Sequence, residues 1–288
     1  MKKIATNLFL FIFLSFIILI VILCTIGIET NKFNSLITEK TSQGKNINLK
    51  LETIKFKINP KELNLFLETQ NPEIMYRDLF VPVSNIKVYV DFLSLFKSDL
   101  IIKKISLTSE ELDITQIKKL STIIKPSTFK SLFDSKVKEG KLITEIEIFL
   151  NDDGLIKDFI AKGTVNNLKV ELLNNINLKE TNLSFFADKS DILIKNIFGL
   201  LEDIKISEGD MRLNLENGIK LNSNFNSKIN LSEQVIKKYS KFLNDYTTVK
   251  GLRNLKADLN NNFSIELDDT YKVNDYNYSI TGKIDKSK

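Results

Sequence analysis

The chain has 288 residues, with 41 Lys and Arg against 36 Asp and Glu, a net charge of +5 and no histidine. The positive charge is spread along the chain without a basic block, which argues against nucleic acid as a partner. The absence of His removes the commonest general base, the Ser-His and Cys-His nucleophile pairs and every imidazole zinc site. The single cysteine, Cys24, lies inside an apolar run, so no intrachain disulfide and no thiolate centre elsewhere in the chain is expected.

Residues 1–7 form a short N-terminal segment carrying Lys2 and Lys3. Leu8 to Ile28 then run 21 residues without a charge, 17 of them Leu, Ile, Phe or Val, broken only by Ser15, Cys24, Thr25 and Gly27. A helix rising about 1.5 Å per residue would be roughly 30 Å long here, the thickness of a bilayer's hydrocarbon core. The run predicts a transmembrane helix over 8–28. The positive-inside rule puts residues 1–7 in the cytoplasm and the rest across the membrane. A cleaved signal peptide is disfavoured, because its apolar region is shorter and ends in an A-x-A-like site.

Residues 31–43 place Phe33, Leu36, Ile37 and Lys40 at helical spacing. From Ile47 the period becomes two. Ile47, Leu49 and Leu51 alternate with polar residues, then after a shift at Thr53 so do Ile54, Phe56 and Ile58; Pro60 ends that strand. Leu63, Leu65 and Leu67 mark another strand, Ile86, Val88 and Val90 the next, and further strands are predicted near 100–108 and 110–114. Helical spacing returns only over 115–138 and 232–246, the latter with Lys237, Lys238 and Lys241 placed to touch anionic lipid. Between them strands are predicted at 142–149, 159–173, 181–188, 191–198, 203–207, 211–216 and 219–231. Turn signals separate them at Asp152-Asp153-Gly154, Gly209-Asp210 and Asn217-Gly218.

One-sided strands joined by short connections predict antiparallel sheet with one apolar and one polar face. Two solutions cover such a face: a closed sandwich or barrel, or a long sheet curled around an apolar lumen. The lining candidates for a lumen are Ile192, Ile194, Leu213, Leu215, Leu221, Phe225, Ile229 and Leu231. No constellation for catalysis emerges. The pairs Glu110-Glu111, Asp152-Asp153 and Asp268-Asp269 are adjacent in sequence, so on a strand their side chains diverge. Ser127-Thr-Phe-Lys130 and Ser94-Leu-Phe-Lys97 spell Ser-x-x-Lys but lack the companion motifs. No enzyme activity, cofactor or metal is expected.

Several segments carry a resemblance. Ile86-Lys-Val-Tyr-Val-Asp-Phe-Leu-Ser-Leu-Phe96 is followed by Ile101-Ile-Lys-Lys-Ile-Ser-Leu107 and Glu111-Leu-Asp-Ile114. Gly163-Thr-Val-Asn-Asn-Leu-Lys-Val170 precedes Leu183-Ser-Phe-Phe-Ala-Asp188 and Gly209-Asp-Met-Arg-Leu213. Together with the anchor and the strands at 47–58 and 62–68, these resemble the AsmA-like family of bacterial envelope proteins, the YhdP and TamB type of bridge-like lipid transporters. The resemblance implies a mainly β fold: a transmembrane helix, then a long curved antiparallel sheet forming an open hydrophobic groove of β-taco type, with two or three short helices. It implies a single pass through the inner (plasma) membrane, residues 29–288 in the periplasm, and phospholipid as the partner handled along the groove. Family members are much longer, so the resemblance makes the chain either a fragment or a short member. The competing reading is an anchored envelope scaffold or assembly factor with a closed β-core, which binds another protein by sheet-edge pairing.

Overall fold

The computed structural model describes residues 2–30, 47–51, 53–60, 64–91, 101–123, 125–173, 176–216, 218–240, 254–268 and 272–287. The predicted helix at 31–43, the Ser94–Lys97 motif and the second half of the 232–246 helix lie outside these residues. Helix α1 runs Lys2–Thr25 and strand β1, Ile28–Thr30, follows at once. The helix therefore ends short of the predicted Ile28. Gly27 adopts φ 79°, which a glycine takes at little cost, and its N–H donates to the Ile22 carbonyl at 2.8 Å. Ile28 is left free to pair with Phe56 in the sheet.

The remaining elements are β2 (Ile47–Lys50), β3 (Ile54–Asn59), β4 (Asn64–Gln70), β5 (Glu73–Tyr76), β6 (Leu79–Val81), β7 (Val83–Val90), β8 (Ile102–Ser109), β9 (Leu112–Asp113), α2 (Ile114–Ser121), α3 (Thr128–Lys136), β10 (Val137–Leu150), β11 (Ile156–Leu173), β12 (Ile176–Ala187), β13 (Asp191–Leu201), β14 (Ile204–Asn214), β15 (Ile219–Ser232), α4 (Glu233–Ser240), β16 (Asn254–Leu267) and β17 (Val273–Ser287). Fourteen strands form one antiparallel sheet in the order β1-β3-β4-β7-β8-β10-β11-β12-β13-β14-β15-β16-β17, with β9 on β10. Among the described residues the strand path does not close on itself. A second sheet holds β2, β5 and β6. The predicted 115–138 helix is two helices separated around Pro126, a residue that disfavours helical backbone before it. Asp113 and Gln116 cap α2 reciprocally. Ser127, the first residue of the Ser-x-x-Lys match, is the cap of α3, its Oγ accepting the Lys130 N–H at 3.1 Å. That spelling reflects a helix start.

The chain divides into two compact units, one of residues 1–110 with 145–159, the other of 111–144 with 160–288. In the first unit the small sheet seals an apolar face. Leu49, Val83 and Ile86 are buried together, with Leu51, Ile74, Val81, Val88, Ile105 and Leu107 packed around them. Ile54 is 2% exposed. The other face of β3, β4 and β7 is ionic: Glu68, itself buried, meets Lys57 Nζ at 2.6 Å and accepts the Asn85 amide at 2.8 Å. Burial raises the Glu68 pKa, but the Asn85 and Lys57 hydrogen bonds and the charges of Lys57 and Lys87 outweigh it and hold the carboxyl below the ordinary range.

Candidate functional site: an uncharged apolar face

In the second unit the faces of the sheet can be read from register, because residues directly opposite in an antiparallel pair share a face. The pairings Ala187–Ile192, Ile192–Leu213, Leu213–Leu221, Leu221–Ile265 and Ile265–Tyr276 carry one face from β12 to β17. Followed through the described residues from Phe159 of β11 to β17, this face contains no charged residue; Lys157, at the start of β11, precedes it. The ion pairs lie on the opposite face, among them Arg212–Asp191 at 2.8 Å and Lys220–Glu266 at 2.8 Å. There the Arg212 guanidinium and the Asn214 amide hold the Asp191 carboxyl below its usual range.

Four consecutive strands of this unit each carry an extra residue. Asn167, Glu180, Asn196 and Glu208 have φ near +50°, and the ladder register shifts beside each. These are β-bulges, which add one residue, bend the strand and tighten its twist. Their strands are neighbours, so the bulges fall in one band and put a crease across β11–β14. Side chains of the next strand hold two of them: the Asn167 N–H donates to Asn182 Oδ1 at 3.1 Å and the Asn196 N–H to Asp210 Oδ1 at 3.4 Å. Residues of minimal size sit along the crease. A Cβ on Gly199 would lie 2.4 Å from Thr181 Oγ1, and one on Gly209 2.8 Å from the Ile197 side chain. The predicted strands at 203–207 and 211–216 are thereby one strand, β14. Gly209-Asp210, read as a turn, passes through the bulge.

The eight lining candidates divide as follows. Ile192, Ile194, Leu213, Leu221, Phe225 and Ile229 all share the uncharged face and are half-buried. Leu231 is buried (8% exposed) at the end of β15 where α4 packs, and Ile236 of α4 is buried as well. Leu215 lies beyond the end of β14 and is exposed, its N–H bonded to the Ser190 carbonyl. Six of the eight therefore form part of a face that is neither sealed nor simply solvent-facing.

Sequence reasoning missed a polar seam within this face. Ser223 Oγ donates to the Asp210 carbonyl at 3.1 Å, and the Asn261 amide donates to Ser227 Oγ at 2.9 Å and the Phe225 carbonyl at 3.2 Å. The Tyr278 hydroxyl donates to Asn261 Oδ1 at 3.3 Å. The serines stand at apolar-phase positions of β15, the one signal that marked them in advance. A hollow of about 350 Å³ lies across β13–β17, with Leu193, Arg212, Asn222, Asn262, Ser264 and Asn277 among its walls. Most of its walls alternate with the apolar positions, so the hollow lies mainly on the polar face, although Met211, Ser223 and Phe263 of the uncharged face also line it.

The predicted carboxylate pairs are ordinary surface groups where they are described: Asp152 meets Lys103 at 2.5 Å and Glu111 meets Lys141 at 2.5 Å. Among the described residues no group of three or more Cys, Asp or Glu could hold a metal ion. At the other end of the chain, Thr6–Thr25 has mean hydropathy 3.2 with its side chains uncovered by the rest of the protein, and is long and apolar enough to cross a membrane. No family model, curated protein or solved structure matches the chain.

Proposed function

We propose that the chain is a membrane-anchored, non-enzymatic lipid-handling protein. α1 spans the inner membrane with its N-terminus in the cytoplasm, and the sheet stands in the periplasm as an AsmA-like groove for phospholipid tails. One observation carries the reading: an uncharged face runs over β11–β17, with its large side chains mostly half-buried as far as β16 and exposed on β17. The first unit supplies the contrast, since there an equivalent face is sealed by a second sheet. Taking an acyl chain of roughly fifteen methylenes through water costs about 0.8 kcal/mol per CH₂, on the order of 12 kcal/mol. An uncharged, largely apolar track, crossed by the seam at Ser223, Ser227 and Asn261, lowers that barrier by contact alone.

The test is lipid recovered by mass spectrometry from the full chain, extracted and washed in a detergent that exchanges slowly. Phospholipid is expected with the wild type and lost from Phe225→Asp, whose fold should survive because a carboxylate there reaches water. Ile54→Asp, in the sealed unit, should unfold instead. Wild-type protein free of lipid, or a Phe225→Asp variant that unfolds like Ile54→Asp, would overturn the proposal.

A further inference from the structure

β17 bonds to β16 along one side and, among the described residues, to no strand along the other. It is fifteen residues long, and Tyr276, Tyr278, Ile280 and Ile284 of its apolar face are 72%, 53%, 46% and 63% exposed. Long, flat, apolar edges template further strands unless they are blocked. The polar face of β17 carries Asp275, Asn277, Ser279, Thr281 and Lys283, opposite Glu266, Asn262, Asn260 and Asp258 or their neighbours on β16. Read outward, this order is complementary to its own reverse.

We infer that the free edge of β17 docks the same edge of a second copy of this chain, antiparallel, with Ser279 facing Ser279 of the second copy. In this register Asp275 opposes Lys283 of the second copy and Lys283 opposes its Asp275, while Asn277 meets Thr281. On the apolar face Tyr278 opposes Ile280, and Tyr276 lies across Gly282. Glycine at 282 is demanded by β16, since a Cβ there would sit 2.2 Å from the Asp258 carbonyl oxygen. It leaves a gap in the edge that an opposing tyrosine covers, a pairing known to stabilise strand glycines. A shift of the register by one step in one direction sets Asp275 against Asp285; in the other it sets Lys283 against Val273. Only the Ser279-centred register sets Asp275 against Lys283, in exchange for contacts within β17, the Lys283–Asp285 ion pair at 3.5 Å and the Tyr276 N–H bond to Asp275 Oδ1 at 2.8 Å. It also keeps both apolar faces on one side, because residues opposite each other share a face. The inference does not depend on the lipid reading.

The experiment uses the full chain in detergent, with Cys24→Ser to remove its single thiol. Facing residues in an antiparallel pair lie 4.5–5.5 Å apart at Cα, within disulfide reach. Mild oxidation should therefore link Ser279→Cys into a covalent dimer at least tenfold faster than Thr281→Cys alone, whose opposite residue is Asn277. Mixing Thr281→Cys with Asn277→Cys chains should restore fast linking. By light scattering, Asp275→Lys and Lys283→Asp should each weaken the dimer at least tenfold, and the double exchange should recover it. A wild type that is monomeric at every concentration, equal linking at 279 and 281, or a double exchange no better than its singles would overturn the inference. Lipid content measured on the same samples keeps this outcome separate from that of the lipid proposal.

Discussion

Gly199→Ala tests whether the crease across β11–β14 is close-packed. The added Cβ would lie 2.4 Å from Thr181 Oγ1 and 3.1 Å from Thr181 Cβ, and Thr181 is fully buried. Thr181 must rotate or the strands must separate. Rotation breaks the bond from Thr181 Oγ1 to the Lys179 carbonyl (3.1 Å), worth about 1 kcal/mol. Residual crowding adds about 1–2 kcal/mol. Against this, alanine restricts the unfolded chain and returns about 0.5–1 kcal/mol. The net cost is about 1–2.5 kcal/mol. Thr181→Ala removes the obstructing oxygen, so adding Gly199→Ala to it should cost about 1 kcal/mol less than adding it to the wild type, a coupling measurable by double-mutant cycle. The assay is urea denaturation of the full chain in detergent followed by far-UV circular dichroism. A Gly199→Ala variant as stable as wild type, or strict additivity with Thr181→Ala, would refute a packed crease.

Three more outcomes follow from the same geometry. Glu180→Gly should stabilise the second unit by about 0.5–1 kcal/mol, because glycine occupies φ near +50° without the penalty a Cβ brings; Asn167→Gly should gain less, since asparagine tolerates that region, and thermal unfolding ranks the two. Ile54→Ala should cost about 2–5 kcal/mol and Ile194→Ala clearly less, since the first is 2% exposed and the second half-buried; equal losses by denaturation would mean that the uncharged face is sealed after all. Glu68→Gln should destabilise the first unit by about 1–3 kcal/mol near neutral pH. The folded-state pKa of Glu68 lies below its unfolded value, so this contribution is present above the unfolded value and is lost as pH falls through the folded one. The difference between Glu68→Gln and wild type should therefore shrink steadily in acid titrations below about pH 4, and a gap that stays constant would contradict the assignment.

Much of the sheet was legible because burial on one side imposes a period of two. β15 is the clearest case: its alternation was visible from Ile219 to Leu231, and the strand runs to Ser232 without a shift. β14 shows where that reading stops. Ile206 and Leu213 share a face although one is even and the other odd, because Glu208 is an inserted residue that flips parity. Read strictly, alternation splits such a strand in two and makes Gly209-Asp210 a turn. Ile192 and Ile194 share a face that alternation reaches because they precede their strand's bulge; Ile197 and Leu201, beyond it, share the same face out of the strict period. The sealed and open faces were not distinguishable at all. Ile54 and Ile194 occupy similar alternating patterns, and only the packing of β2, β5 and β6 separates the first unit from the second. That depends on contacts remote in sequence, on which local periodicity is silent.

The bulges also set how the fold can grow. Opposed residues share a face whether or not a strand carries an inserted residue, so hairpins can be added without turning any side chain to the wrong side, while each bulge adds bend and twist. Each addition widens the sheet by about 4.8 Å, and the seven strands β11–β17 span roughly 29 Å across six such spacings. A single leaflet's tails occupy about half of a 30 Å hydrocarbon core. A surface of this breadth equals the length of two such tails end to end, and that length is the limit the proposed lipid reading sets on occupancy across the face.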